Sequence, residues 1–369
     1  MLRQHIVFTV TNNLLFDQRM QRICGSLANA GFQVTLVGRC NSHDVDLQPQ
    51  PYQQHRIKVR CTKGPLFYLE YNLRLLFFLL RYQYHIACAI DLDTIAPVLL
   101  ATRWRQKKRV YDAHELFTEM KEVVTRPIIH KCWLAVERWA VPHFPQGYTV
   151  NAFIANELHR RHGVHYSIIR NLPVKKELHL TVNENPINTP FILYQGAVNE
   201  GRSFETLIPA MRQIDIPLWI CGDGNFMQQV KALVATHQVA DKVIFKGMVT
   251  PQALAAITPK ATIGLTLFEA TGLNQYYSLA NRFFDYMMAG IPQICVNYPE
   301  YAAINQQYEI AVLINDTQPA TIATAVNKLL TDAVTYKRLQ EQCKLAANDL
   351  HWQAEANKLI QFYEKLSGI

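Results

Sequence analysis

Three groups of residues have the types and spacing that chemistry needs. Asp285 lies in the run from Gly272 to Val296, GLNQYYSLANRFFDYMMAGIPQICV. Ser278 and Asn281 are both good helix N-caps. Phe283, Phe284, Met287 and Met288 recur at one helical period, which predicts a helix with a buried face. Gly290 ends it and Pro292 opens the next segment. A helix that begins at a strand's exit aims free N–H groups and a positive dipole end into the crevice, where a diphosphate fits. The same reading puts Asp285 in the first turn. Spacing leaves its role open between an acid that stabilises the helix and an acceptor for a ribose hydroxyl.

The second group ends a strand: Val110-Tyr111-Asp112-Ala113-His114-Glu115. In open parallel sheets, ligands bind beyond the carboxyl ends of strands. Imidazole can orient a hydroxyl, shield a developing charge or move a proton near neutral pH. A lone histidine is usually structural; flanking acids and a strand-end position single out His114. The third group is the loop Gly196 to Ser203, which carries Arg202 between glycines and a helix. Small residues let backbone approach a diphosphate, and a planar guanidinium can bind it with two donors. Nearby, the strand Leu218 to Cys221 ends in Gly222-Asp223-Gly224, either a plain turn or a close approach beside a nucleotide.

These groups need elements to hold them. Residues 5–10 read as an apolar strand, Asp17 begins a helix that runs to Ala30, and 32–38 is a second strand. Strands alternating with helices imply a parallel sheet covered on both faces. No GxGxxG follows the first strand, which weighs against a nicotinamide site. Residues 66–85 form a helix rich in Leu and aromatics, which either lies on a membrane surface or packs on the sheet; its full apolar face favours the sheet. The run Thr102 to Arg109 is basic around Trp104 and reads as a solvated face or a contact with lipid phosphates. A polar stretch at 174–190 holding two prolines is a linker, and strands resume at 191. A last helix is expected over about 336–366.

Composition bounds the class. A chain of 369 residues with 49% hydrophobic and 18% charged residues is globular and long enough for two domains. A net charge of +8 and an isoelectric point near 9.0 point to anionic partners. Zinc-finger spacing, RNP-like strands and a long basic tail are missing, so nucleic acid is not expected. The eight cysteines contain no CxxC and read as free thiols of a reducing cytosol. His159, His162 and His165 lack a carboxylate or thiol to complete a metal site, so no metal is expected. Neither a signal peptide nor a membrane span is expected.

The segment Asp285-Tyr286-Met287-Met288-Ala289-Gly290-Ile291-Pro292 resembles the acid-aromatic-Met-x-Ala-Gly-x-Pro signature of GT-B glycosyltransferases of family 4 (group 1). In that family a glutamate takes the place of Asp285, and a second lies eight residues earlier, where this chain has Tyr277. Asp112 to Glu115 matches the family's Asp-x-His-Glu site, whose His faces the reacting sugar. Asn12 with Asp17-Gln18-Arg19 is similar to an Asn-x-x-x-x-Asp-Gln-Arg opening in a subset of members. The match implies His114, Arg202 and Asp285 as catalytic residues. It implies Gly196, Gly201, Arg202, Gly222, Gly224, Gly247, Met248, Asn274, Asn281, Arg282 and Asp285 around the donor, and Asn12, Asp17 and Glu115 on the acceptor side. Asp91-Leu92-Asp93 resembles a strand exit of the family's acceptor half.

The implied fold is α/β GT-B, two Rossmann-like doubly wound parallel-sheet domains facing a cleft. An acceptor-binding domain spans 1–173, a linker 174–190, a nucleotide-sugar-binding domain 191–345, and a helix at 346–369 crosses back to the first domain. The implied reaction is transfer of a sugar from a nucleotide-diphosphate sugar, with retention, to a glycan or lipid-linked acceptor in cell-surface polysaccharide synthesis. No cofactor or metal is implied. The expected location is cytoplasmic, with peripheral contact at an anionic membrane surface. Two rivals stand beside this: a nucleotide-sugar 2-epimerase, and a catalytically silent subunit, which Tyr277 in the acid position would suit.

Overall fold

The computed structural model describes residues 4–15, 17–40, 46–175, 189–270 and 272–368. The chain divides into two compact units, one of Met1–Asn171 with Ala354–Ile369, the other of Leu172–Gln353. Of the linker expected at 174–190, residues 176–188 lie outside the described residues.

The first unit holds a seven-stranded sheet of β1 (His5–Thr9), β2 (Gln33–Cys40), β3 (Gln53–Lys58), β4 (Ile86–Ile90), β5 (Lys108–Ala113), β6 (Gly147–Thr149) and β7 (Ser167–Ile168). Their order is β3-β2-β1-β4-β5-β6-β7, all pairs parallel. Every residue of β1 and β4 is buried, as a sheet covered on both faces requires. The order reverses between β1 and β4, so their carboxyl ends, with that of β5, open a crevice. Helix α1 (Gln18–Asn29) starts there, capped by Asp17, whose side chain accepts from the Met20 N–H.

Edge strand β3 was not legible. Its sequence, QQHRIK, is polar, and burial there is confined to Ile57. The helix expected over 66–85 is α2 (Gly64–Arg81), shorter at its far end because Tyr82 turns into extended backbone. It packs beside α3 (Ile95–Trp104), which also contacts the helix Pro127–Ala140.

The second unit holds a six-stranded parallel sheet of β8 (Ile192–Gln195), β9 (Leu218–Cys221), β10 (Val243–Gly247), β11 (Ile263–Thr266), β12 (Gln293–Val296) and β13 (Ala311–Ile314), in the order β10-β9-β8-β11-β12-β13. Here the reversal falls between β8 and β11. The single helix expected over 336–366 is two, Ala333–Asp349 and Trp352–Ser367. Leu350 leaves helical geometry, and the Trp352 N–H bonds to the Pro173 carbonyl at 2.8 Å instead of continuing the first helix.

The helix that leads into β12 runs Asn281–Met288, and its apolar face is buried as expected, with Phe283, Phe284 and Met287 inside. Gly290 follows in left-handed backbone at φ 71°. Two details differ from expectation. Neither Ser278 nor Asn281 caps the helix: Ala280 holds the cap position, and its N–H bonds to the Tyr301 hydroxyl at 3.0 Å. Asp285 sits beyond the first turn, which contains no acid.

Candidate functional site

In the second unit, the carboxyl ends of β8 and β11 hold two arginines against one ring. The Arg282 guanidinium carbon lies 4.5 Å from the Tyr194 centroid and 4.8 Å from that of Phe268. The Arg202 guanidinium stacks on the same Phe268 ring at 4.4 Å. Arg282 is buried, 6% exposed, and donates from Nη1 to the Gln195 carbonyl at 3.2 Å. Among the described residues its Nε has no hydrogen-bond partner, and neither has the buried hydroxyl of Ser203, next to Arg202. Arg282 forms no ion pair among the described residues. Cation–π stacking offsets part of the cost of burying a guanidinium, but an unpaired buried charge is expensive. Such a site is stabilised by an anion.

The glycines shape this cradle. A Cβ on Gly222 would stand 1.9 Å from the Gly196 carbonyl oxygen, and one on Gly224 would stand 2.3 Å from the Val198 oxygen. The exits of β8 and β9 therefore touch backbone to backbone. Gly196 (φ 119°) and Gly201 (φ 82°) take conformations an L side chain resists. The Gln275 amide approaches Gly201, at 2.3 Å from where its Cβ would be. Asn274 lies with it on the short helix Leu273–Tyr276.

Asp285 is turned toward the same strand exit. Its Oδ2 accepts from Gln195 Nε2 at 2.9 Å, while Gln195 Oε1 accepts from the Thr258 hydroxyl at 2.8 Å. Gln195 thus holds Asp285 in place. Asn281 is exposed at the first helical position. Gly247 ends β10 in left-handed backbone at φ 65°, and Met248 beyond it is 79% exposed, so no packing presses its side chain toward this cradle.

The first unit gathers a second set at the ends of β1, β4 and β5. His114 is the hub. Its N–H donates to Asp91 Oδ1 at 2.8 Å, and its Nδ1 lies 3.4 Å from Asp91 Oδ2. Its Nε2 lies 3.0 Å from Asp112 Oδ2 and 2.8 Å from Arg19 Nε. Arg19 also pairs with Asp112 Oδ1 at 3.0 Å, both side chains buried. One ring nitrogen cannot donate to Asp112 and accept from Arg19 together. Protonated, it donates to Asp112; neutral, it accepts from Arg19. Burial disfavours the imidazolium, but Asp112 and Asp91 outweigh it and raise the pKa to about 9. Burial pushes Asp112 up, yet Arg19 and His114 hold its carboxyl below the usual range. Burial raises Asp91, against the pull of His114, and raises Asp93 to about 6, against a hydrogen bond from the Thr11 hydroxyl. Asp91 itself adopts φ 53°, rare for a residue with a side chain.

Asn12 and Asp17 take the turn and cap roles. Asp17 spends one oxygen on the Met20 N–H and the other on Asn12 Nδ2 at 3.2 Å. Both act on the cluster through α1, which carries Arg19. Glu115 is half-buried beside His114. Missed from sequence were Arg19 as the partner of His114, and Phe268, Gln195 and Ser203 around the two arginines. For Arg19 a signal existed, its place two residues after the capping Asp17 on a helix entering the crevice. For Phe268 and Ser203 there was none.

The chain matches two family models in succession: Glycosyltransferase Family 4 over residues 18–172 and Glycosyl transferases group 1 over residues 176–346. No curated protein sequence matches it significantly. Solved structures of the same fold include a sucrose-phosphate synthase from Thermosynechococcus elongatus, with TM-score 0.79 and 18% identity over 99% of this chain and 100% of that one. Alr3699/HepE of Anabaena, in complex with UDP and glucose, gives TM-score 0.76 at 11% identity over 100% of both chains. WaaG, a glycosyltransferase involved in lipopolysaccharide biosynthesis, gives 0.74 at 13% identity over 99% of this chain and 100% of that one.

Proposed function

We propose that this chain, which belongs to the group 1 (family 4) glycosyltransferases of the GT-B fold, passes a sugar from a nucleotide-diphosphate donor to a glycan or lipid-linked acceptor of cell-surface polysaccharide. Members of the family use nucleotide sugars and retain the anomeric configuration. The observation that carries the residue assignment is the pair Arg202 and Arg282 on Phe268, with a buried guanidinium nitrogen left without a partner. As the bond from the anomeric carbon to the diphosphate breaks, negative charge grows on the departing phosphate. Two guanidiniums fixed beforehand by aromatic faces stabilise that charge without reorganising. Ser203 donates its hydroxyl to a phosphate oxygen, and Asp285, oriented by Gln195, accepts from the ribose. Gly222 and Gly224 let the exits of β8 and β9 close backbone to backbone beside the nucleotide, Gly247 leaves open space there, and Gly196 and Gly201 let the backbone reach the phosphates.

In the first unit, His114 faces the sugar and Glu115 the acceptor. Asn12 and Asp17, on the acceptor side, also hold the start of α1, which Asp17 caps. The eight cysteines are all free, which fits work in a reducing cytosol. The relative crystallised with UDP and glucose makes UDP-sugars the first donors to try. Calorimetry with a panel of nucleotide sugars tests the reading, followed by product analysis of the best binder mixed with lipid extract. Binding of one donor and appearance of a glycosylated lipid or glycan are expected. Failure of every nucleotide sugar to bind would overturn the donor site; release of a free epimer without an acceptor would overturn the transfer.

A further inference from the structure

Asp91, at the carboxyl end of β4, is held in a backbone conformation that suits glycine. Its φ is 53° and its ψ 179°. Ser203 and Glu309 have similar φ, but their ψ values of 28° and 58° keep them in the ordinary left-handed region. Strain of this kind costs stability, persists only where the surroundings over-determine it, and gathers at residues that clamp or transform a ligand. Here the Asp91 N–H donates to the Asp112 carbonyl at 2.9 Å, which fixes the exit of β4 to that of β5. Glycine would meet the backbone's needs at this position without strain, so the carboxylate is what the strain keeps in place.

Two acids bracket the His114 ring, and they differ in what they have left to give. Asp112 is fully buried, with one oxygen on Arg19 and the other on His114. Asp91 is 20% exposed. Its Oδ1 accepts from the His114 N–H at 2.8 Å, while its Oδ2 stands 3.4 Å from Nδ1, too far for a strong bond. A carboxylate offers about four lone-pair sites, so Oδ2 keeps capacity for one more donor at the crevice. Asp93 and Glu115 add negative charge beside it. A phosphate monoester brought here meets like charge and, at neutral pH, has almost no proton to donate. A sugar hydroxyl has one and carries no charge.

We propose that Asp91 accepts the hydrogen bond of the attacking hydroxyl, and that the acceptor is an uncharged sugar already in place, not the phosphate of a lipid carrier. This rests on the transferase reading above. The strained backbone aims Oδ2 at the hydroxyl, and His114 holds Oδ1 so that the carboxylate does not turn away.

The test supplies the nucleotide sugar that calorimetry selects, with octyl glycosides of glucose, galactose and N-acetylglucosamine as one set of acceptors and farnesyl phosphate as the other. The parent should glycosylate one of the glycosides at least about tenfold faster than farnesyl phosphate. Asp91→Asn keeps the shape and should lower kcat/KM for that glycoside about 10²-fold, leave the donor Kd within about threefold, and narrow the preference over farnesyl phosphate. Asp91→Ala keeps the strain and Asp91→Gly relieves it. Both should lose transfer as the Asn variant does, with the Gly variant melting roughly 2–6 °C above the Ala variant. The Gly variant carries the transfer test should Asp91→Asn not fold. Farnesyl phosphate as the better acceptor, a glycoside kcat/KM within about threefold of the parent in the variants, or an Ala variant at least as stable as the Gly variant would each overturn the proposal. Failure of the parent to bind any nucleotide sugar, or to glycosylate either set, sinks the transferase reading and this inference with it. Transfer to farnesyl phosphate by a donor-binding parent sinks the inference alone.

Discussion

Arg282→Met is the sharpest probe of the donor site. Methionine keeps an unbranched stem between Tyr194 and Phe268 and removes the charge. In the free protein the change loses one hydrogen bond to the Gln195 carbonyl and two ring contacts, and relieves an unpaired buried cation. These oppose each other, so the Tm without nucleotide should move little. With nucleotide the balance differs. A hydrogen bond to a charged group contributes about 1.5–3 kcal/mol, and the upper end suits a buried guanidinium meeting a phosphate. Losing about 3 kcal/mol weakens the Kd roughly a hundredfold. At a nucleotide concentration about 100 times the parent Kd, the parent gains about 2.7 kcal/mol and the variant about 0.4. For a unit of this size, that gap is roughly 5–10 °C of thermal shift. Thermal unfolding with and without UDP, alongside calorimetry, measures both. If the variant folds and its Kd for every nucleoside diphosphate tested stays within about threefold of the parent, Arg282 does not hold the diphosphate.

Arg202→Ala should lower turnover about 10²–10³-fold and leave the Tm almost unchanged, since Arg202 is half-exposed; unchanged transfer rates would count against it. Gly222→Ala forces a Cβ to within 1.9 Å of the Gly196 oxygen, so it should destabilise the chain by about 2 kcal/mol or more in denaturant titrations and abolish nucleotide binding. The His114 pKa is raised in the folded state to about 9, above its unfolded value near 6.5. Its contribution to stability is therefore complete below about pH 6.5 and lost as the pH rises through about 9. Asp112→Asn removes one of the carboxylates that raise it, so the loss should move to lower pH; a stability profile over that range identical to the parent's would refute the coupling.

Much of this protein is readable one segment at a time. The βα rhythm, the glycines after β8 and β9, the polar exit of β5 and the amphipathic run at Asn281–Met288 are local signals, because hydrophobic period and turn chemistry act over a few residues. They were enough to single out His114, Arg202 and Asp285. What the residues do to one another was not readable. Arg19 reaches Asp112 and His114 from more than 90 positions away, and Gln195 meets Asp285 across 90. Only the sheet orders, reversing between β1 and β4 and between β8 and β11, bring those strand ends together. The same holds for the helix start, where the Tyr301 hydroxyl accepts from the Ala280 N–H and neither Ser278 nor Asn281 caps, and for the outer stripe of α2, whose leucines look like core until tertiary packing leaves them uncovered. Composition and spacing thus decided which groups this chain owns and near which strand ends they fall. Charge pairing, proton affinity and exposure were decided by three-dimensional neighbours, because electrostatic and desolvation energies depend on distance through space and not along the chain.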